Sequence, residues 1–352
     1  MSQITFENIG IKALSACVPP RIVKTAEQTK YFDPEKLAGF IQATGIEERR
    51  VSENGVTASD LCIQAAEKLI TEMGMDKNNI SCLIFVSQTP DYRMPNTACI
   101  LQDKLGLKKE IFTLDINQAC SGYVWGLITA YTFCNSGFDN ILLCVGDTPS
   151  KFLSKKDSST TLMFGDAGTA SLITRDVAYG KSYFSFNTDG SYRNTVFIPN
   201  GGYRNMSSTV GFEYTKDEEG NMKNQEQIHM DGLEVFSASI SVMTRDIRNL
   251  LAYADMTIDD IDTVVLHQAN RFMNKVITKK LKVNPEREIN SIHKFGNTSC
   301  TSIPLNMAFN KSKFGTSDKL LFEAIGASFT WGSAIVKLRD LQNFGIEDYV
   351  KE

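Results

Sequence analysis

Histidine is scarce in this sequence: among 352 residues only His229, His267 and His293 occur, and they lie far apart. A zinc site, which draws its ligands from clustered histidines and cysteines, is therefore not expected, and no metal or other cofactor is assigned. The eight cysteines (Cys17, Cys62, Cys82, Cys99, Cys120, Cys134, Cys144 and Cys300) form no C-x-x-C pair and sit mostly among apolar neighbours. Reduced thiols are expected rather than a disulfide framework. Positive charge is not in excess either, with 37 Lys and Arg against 41 Asp and Glu, a net charge of -4. Nothing global attracts nucleic acid or an anionic membrane. No apolar run approaches bilayer length, and Met1 to Gly10 lacks the basic stretch and apolar core of an export signal, so a soluble, cytoplasmic protein is expected.

What the chain does have is enough apolar residue, 42%, to fill a sizeable core. Helical and strand patterns alternate, which points to an α/β protein of layered helices and sheets. Helices are expected near Ser59 to Glu72, Pro95 to Leu105 and Tyr123 to Asn135. Strands are expected at Cys82 to Val86, Ile111 to Ile116 and Asn140 to Val145. The second half replays this order: a helix near Val242 to Ala254, the strand Thr263 to Leu266, a helix from Arg271, and Gly296-Asn297 before another helix. Met75-Asp76-Lys77-Asn78-Asn79-Ile80 matches Met256-Thr257-Ile258-Asp259-Asp260-Ile261, and Asp139 to Leu143 echoes Asp318 to Phe322, both at a shift of about 180 residues. Two halves of a duplicated fold are expected, residues 1–180 and 181–352. Between them Asp189 to Gln227 is irregular and rich in Gly, Asn, Ser and charge. It reads either as a segment covering the substrate or as a plain surface insertion.

Three residues stand where chemistry can be built. Cys120 falls between a strand and a helix, where helix amides and the helix dipole favour a thiolate, although a cysteine at such a place is commonly a small core residue. His267 follows the apolar strand Val264-Val265-Leu266, at the end where α/β folds build sites, and a hydrogen-bonded structural histidine is the other reading. Asn297 precedes a helix and reads alone as an N-cap. In a duplicated fold, Cys120 and Asn297 occupy equivalent junctions of opposite halves, which pseudo-symmetry brings together. A thiolate there can take up an acyl group, while His and Asn donate to a thioester oxygen as it becomes an enolate. Gly165-Asp166-Ala167-Gly168 lacks the spacing of a phosphate loop and is read as a tight turn. After His267, the residues Arg271, Lys275, Lys279 and Lys282 recur at helical spacing with Lys280 beside them, a basic stripe suited to an acidic partner or a solvated cationic face.

Seven motifs occur in order. They are Thr44-Gly45-Ile46-Glu47-Glu48-Arg49, Ala119-Cys120-Ser121-Gly122, Phe164-Gly165-Asp166-Ala167-Gly168, Met230 to Phe236 (Met-Asp-Gly-Leu-Glu-Val-Phe), His267-Gln268-Ala269-Asn270, Gly296-Asn297-Thr298-Ser299 and Phe329-Thr330-Trp331-Gly332. Through them nearly the whole chain resembles the β-ketoacyl-acyl-carrier-protein synthase III family. The resemblance implies a thiolase-like, duplicated five-layer αβαβα fold, a homodimer, and substrates carried on acyl carrier protein or coenzyme A. It implies Cys120 as the acylated nucleophile, with His267 and Asn297 promoting decarboxylation of a malonyl thioester. The backbone amides of Cys120 and Ser328 would form the oxyanion hole, Met94 would reach into the neighbouring subunit's acyl pocket, and Arg271, Lys275, Lys279 and Lys280 would dock the carrier protein. His267 with Asn297 fits the initiating branch, since related elongating synthases use two histidines.

The match departs at the coenzyme A clamp. An aromatic residue and an arginine of the family are Gly39 and Ala43 here, and a further arginine is replaced near Ser158. The expected donor is accordingly an acyl carrier protein or an unusual coenzyme A ester. Two other readings stay open: a transferase of the same fold that passes the acyl group to an amine, alcohol or aromatic thioester, and a non-catalytic acyl-binding partner.

Overall fold

The computed structural model describes residues 2–316 and 318–351, apart from the side chain of Ser328. In chain order its main elements are β1 (Ser2–Glu7), β2 (Ile9–Val18), α1 (Ala58–Glu72), β3 (Cys82–Val86), α2 (Thr97–Lys104), β4 (Phe112–Ile116), α3 (Gly122–Asn135), β5 (Ile141–Asp147) and β6 (Ala167–Arg175). There follow β7 (Lys181–Thr188), α4 (Gly232–Tyr253), β8 (Thr263–Leu266), α5 (Arg271–Leu281), α6 (Ser302–Phe309), β9 (Lys319–Gly326), β10 (Thr330–Lys337) and β11 (Gln342–Asp348).

These strands make two large sheets. One is six-stranded in the order β11-β2-β6-β5-β3-β4, the other five-stranded in the order β1-β7-β10-β9-β8. The central strands correspond one to one, β2 with β7, β6 with β10, β5 with β9 and β3 with β8. The isolated parallel bridge between Val264 and Glu288 stands where β4 pairs with β3 in the first sheet. The chain changes sheets between β6 and β7, but the edge strands are exchanged. β1 pairs with β7 and β11 pairs with β2. Neither half of the chain therefore builds its sheet alone.

Strands buried on both faces explain why the apolar runs were readable. In β3, Cys82, Ile84 and Val86 face one core while Leu83 and Phe85 face another. The layers follow from these alternating faces. Helices α1 and α2 cover the outer side of the first sheet, and α4 and α5 cover the outer side of the second. The helices α3 and α6 lie between the sheets, packing Tyr123, Leu127 and Tyr131 with Ile303, Leu305 and Met307 in one shared core. Five layers result.

Helix α4 begins ten residues before the expected Val242, at Gly232. Asp231 caps it, its Oδ1 accepting the Glu234 amide at 2.9 Å. In the first two turns Val235 and Phe236 pack against the outer core and also line a cavity while Leu233 is exposed, so the core-facing stripe is blurred there. The motif Gly165 to Gly168 is a packing turn: Asp166 is buried and accepts from the amides of Ser52 and Ser150 and the Ser150 hydroxyl.

At Gly168 a Cβ would lie 2.6 Å from the Cys62 amide nitrogen and 2.6 Å from Leu61 Cβ, so β6 and α1 touch through backbone that cannot yield. Gly168→Ala is expected to cost roughly 1–3 kcal/mol of unfolding free energy, as overpacking does. Urea denaturation checks this, and an unshifted midpoint would contradict the fit.

Candidate active site

Cys120 sits in the turn just before α3, on the wall of a cavity of about 140 Å³ that His267 and Asn297 also line. The remaining lining is largely apolar and includes Phe152, Phe164, Ile228, Met230, Phe236 and Phe329. The three polar residues come from opposite halves of the chain. Cys120 precedes α3, Asn297 precedes α6, and these helices share the middle layer. His267 leaves the end of β8.

The turn at Cys120 is packed from below by the second half. A Cβ on Gly326 would approach the Ser121 amide nitrogen at 3.1 Å, and a Cβ on Gly122 would meet Val86 Cγ1 and Cys300 Cβ at 2.8 Å. Ser121 Oγ and Thr330 Oγ1 are 2.9 Å apart, and Thr330 donates to Gln118 Oε1 at 3.0 Å. Cys120 Sγ lies 4.0 Å from Ser299 Oγ. The helix start argued for a thiolate, but the thiol itself is pushed up to about 12, first by burial, with the Asp147 charge adding to it and Ser299 opposing. Desolvation of a buried anion here outweighs the amides of one helix turn. The resting group is the thiol.

His267 is buried and held at three points. Its amide donates to Glu323 O at 2.8 Å, its carbonyl accepts Asn274 Nδ2 at 3.0 Å, and its Nδ1 lies 2.5 Å from Ser302 Oγ. Ser302 Oγ also accepts the Gln268 amide at 3.3 Å, and its own single proton is one that Nδ1 can accept. In the tautomer where Nδ1 accepts from Ser302, the imidazole proton is on Nε2, which has no protein partner among the described residues. Burial lowers the imidazole to about 3, so it is neutral across the working pH range.

Asn297 is not the N-cap of α6, whose cap position is Thr301 with no side-chain cap bond. Asn297 Oδ1 accepts the Ser299 amide at 2.9 Å and caps the turn, while its Nδ2 has no protein acceptor among the described residues. The turn itself is fixed by Gly296 at φ 65°, where a Cβ would meet Met163 O at 2.5 Å. It is fixed also by main-chain bonds from Asn297 N to Met163 O and from Gly165 N to Asn297 O, at 2.9 and 3.0 Å. The site thus presents a thiol and two neutral N–H donors at one apolar cavity. Such a set suits acyl transfer and stabilisation of an enolate.

The other expected residues lie around this centre. Arg271, Lys275, Lys279 and Lys280 are exposed on α5, whose preceding residues Ala269 and Asn270 line the cavity together with Met273. Arg245 and Arg248 on α4 widen the basic face, Arg248 donating to Lys280 O at 3.0 Å. Ser328 lies in the turn Ala327–Phe329 between β9 and β10, beside the lining residues Gly326 and Ala327, and its side chain is outside the described residues. Met94 is 80% exposed and is not among the cavity's lining residues. Ser302, Ser299 and Asn274 were not singled out from sequence; the offset of 35 residues between His267 and Ser302 carries no local signal.

The irregular segment contributes to the wall as well as the surface. Val196 lines the cavity, as do Ile228 and Met230 just past the segment's end. Tyr203 and Phe212 remain exposed. The segment docks on the stretch after β5, with Met222 N donating to Lys156 O and Ile228 N to Phe152 O. At the departed clamp position, Ser158 is buried and both its amide and hydroxyl donate to Asn221 Oδ1, at 3.0 and 2.8 Å. Gly39 and Ala43 are exposed on the helix Pro34–Thr44.

Comparison with known proteins gives consistent relatives. Residues 114–190 match the family described as 3-oxoacyl-[acyl-carrier-protein (ACP)] synthase III, and residues 251–338 match its C-terminal region. A β-ketoacyl-[acyl-carrier-protein] synthase III from Aliarcobacter butzleri is 32% identical over 339 residues, 95% of this chain and 98% of that protein. One from Koribacter versatilis is 31% identical over 333 residues, 93% of this chain and 97% of that protein. The crystal structure of a 3-oxoacyl-(acyl-carrier protein) synthase from Burkholderia xenovorans superposes with a TM-score of 0.91 at 32% identity, covering 99% of both chains. The five-layer arrangement is thus the thiolase-like fold.

With burial holding the imidazole far below its ordinary value, the His267 ring is expected to keep one protonation state from pH 5 to pH 8. Its ring resonances in an NMR titration should not move through that window; a midpoint near 6.5 would overturn the assignment.

Proposed function

Because the chain belongs to the β-ketoacyl-[acyl-carrier-protein] synthase III family of condensing acyltransferases, we propose that it carries an acyl group on Cys120 and condenses it with a malonyl thioester. The observation that carries this reading is the meeting of Cys120, His267 and Asn297 at one apolar cavity, from opposite halves of the fold. In the first step the Cys120 sulfur attacks a thioester carbonyl, the donor thiol leaves, and the Cys120 proton ends on that thiol. The backbone amides of Cys120 and Ser328 receive the oxyanion. In the second step the malonyl carboxylate leaves as CO2, and its bonding pair forms an enolate whose oxygen is met by His267 Nε2–H and Asn297 Nδ2–H. The enolate carbon then attacks the acyl carbon, and the Cys120 sulfur leaves and is reprotonated. Neutral donors suit this step, because they offer hydrogen bonds without competing for the carboxylate as a cation would.

The basic face of α5, Arg271 with Lys275, Lys279 and Lys280, is the proposed dock for an acidic carrier protein, since the residues preceding α5 form part of the cavity wall. With Gly39 and Ala43 bare on their helix and Ser158 engaged by Asn221, a carrier-protein donor is favoured over acetyl-coenzyme A. We further infer a cytoplasmic homodimer. Tyr92, Met94, Tyr203, Val210 and Phe212 are large apolar side chains left exposed on this chain, with Arg93 linking their two loops through a hydrogen bond to Gly201 O and a contact over the Tyr203 ring. Such a face favours association, and the exposed Met94 is the residue proposed to enter a neighbouring subunit.

Intact-mass measurement after incubation with a panel of acyl carrier-protein and coenzyme A thioesters tests the nucleophile. Wild type should gain the acyl mass and Cys120→Ala should not; an adduct that persists in the variant would refute the assignment. His267→Ala and Asn297→Ala should acylate normally yet lose malonyl decarboxylation by about 100-fold or more, the scale of removing one oxyanion donor. Product mass distinguishes this reading from acyl transfer to an amine or alcohol.

A further inference from the structure

The turn bearing Asn297 rests on a buried pair that the reaction itself does not use. Cys300 Sγ lies 3.1 Å from Asp147 Oδ2, and both residues are almost wholly shielded from solvent. Asp147 ends β5. Its other oxygen, Oδ1, accepts from the Ser87 hydroxyl at 3.0 Å, the Gln88 amide at 2.8 Å and the Thr89 hydroxyl at 3.2 Å. Those three residues follow β3. One carboxylate oxygen is thus bound to the N-terminal half of the chain, and the other receives a thiol from the C-terminal half.

Cys300 is wedged on its opposite side by the nucleophile's helix, where a Cβ on Gly122 would stand 2.8 Å from Cys300 Cβ. Its neighbour Ser299 has φ 52°, in the left-handed region that a serine keeps only when its surroundings hold it there. Ser299 is also the residue whose amide is capped by Asn297 Oδ1 and whose hydroxyl lies 4.0 Å from the Cys120 sulfur. Burial, and then the adjacent Asp147 charge, keep Cys300 protonated, so it is an S–H that the carboxylate accepts. A thiol is a weak donor, but an ionised acceptor strengthens the bond.

We propose that Asp147 is a positioning residue for the condensation: through the Cys300 thiol it holds the Asn297–Ser299 turn against Cys120. This rests on the roles given above to Cys120, His267 and Asn297. The Asp147 carboxylate touches no reacting atom. It couples the end of β3, the end of β5 and the start of the α6 segment, so that the donor of one half keeps register with the nucleophile of the other.

The test compares Cys300→Ala, Cys300→Ser, Asp147→Ala and the Asp147→Ala/Cys300→Ala double variant, with two readouts. One is malonyl-thioester decarboxylation; the other, which needs no substrate, is the iodoacetamide alkylation rate of the Cys120 peptide. Cys300→Ala should decarboxylate about tenfold more slowly, the expected scale for losing one hydrogen bond to a charged group, and Asp147→Ala at least that much more slowly, because it also releases Ser87, Gln88 and Thr89. Cys300→Ser should recover to within about threefold, because a hydroxyl also donates one proton. The double variant should be no slower than Asp147→Ala, as for two groups acting as one. Losses that multiply in the double variant, or a Cys300→Ala rate equal to wild type, would overturn the proposal. If Asp147→Ala does not fold, the Ala and Ser variants at Cys300 decide it alone, equal rates counting against it. If wild type is alkylated at Cys120 yet decarboxylates no malonyl thioester, the functional reading fails separately. The alkylation rate then judges the clamp: Cys300→Ala should differ from wild type and Cys300→Ser should not, and three equal rates overturn it.

Discussion

Burial of α3 and α6 in one apolar layer between two sheets is the constraint from which the rest of this molecule follows. Neither helix has a solvent-facing side to spare: Tyr123, Leu127 and Tyr131 on one and Ile303, Leu305 and Met307 on the other enter the same core. Each helix begins just after a residue of the site. Once they are packed together, their starts lie side by side, and Cys120 and Asn297 must share a cavity. The close approach of Gly122 to Cys300 and of Gly326 to the Ser121 backbone shows how little room there is for the two junctions to drift apart.

The same layer sets the electrostatics. Because the junctions lie inside the protein, the groups there are kept neutral by desolvation: the Cys120 thiol is raised and the His267 imidazole is lowered. A charged imidazolium or a resting thiolate would each require solvation that the cavity does not provide. What the site offers instead is directed N–H groups, one on His267 through its bond with Ser302 and one on Asn297 through its cap to Ser299. These cost less to bury than a charge and act when negative charge appears on a substrate.

The exchanged edge strands give the duplicated fold a further property. β1 belongs to the sheet of the second half and β11 to that of the first, so the ends of the chain bind the halves reciprocally. The irregular segment before α4 adds a more local link, closing one wall of the cavity with Val196 while Asn221 occupies Ser158. The aromatics Tyr203, Phe212 and Tyr214 of the same segment are exposed on this chain.

Strands with both faces buried, such as Cys82 to Val86 and Thr263 to Leu266, were legible in the sequence because continuous apolar runs between turn residues have few other readings. The repeated order of elements pointed to the duplication, and the position of Cys120 and Asn297 at matching junctions pointed to the cavity that both line. The start of α4 was not legible, because the exposed Leu233 beside Val235 and Phe236, which line a cavity as well as packing on the core, blurs the core-facing period. Nor were Ser302 behind His267, or Asp147 behind Cys300, since hydrogen bonds between residues 35 and 153 positions apart leave no local pattern. The protonation of Cys120 was read from a helix start and reversed by burial. Sequence alone determined the order of elements and the identity of the three polar residues, because both follow from local periodicity and motif. Tertiary structure decided their charge states, their free atoms and their partners, because desolvation and long-range hydrogen bonds exist only once the layers are closed.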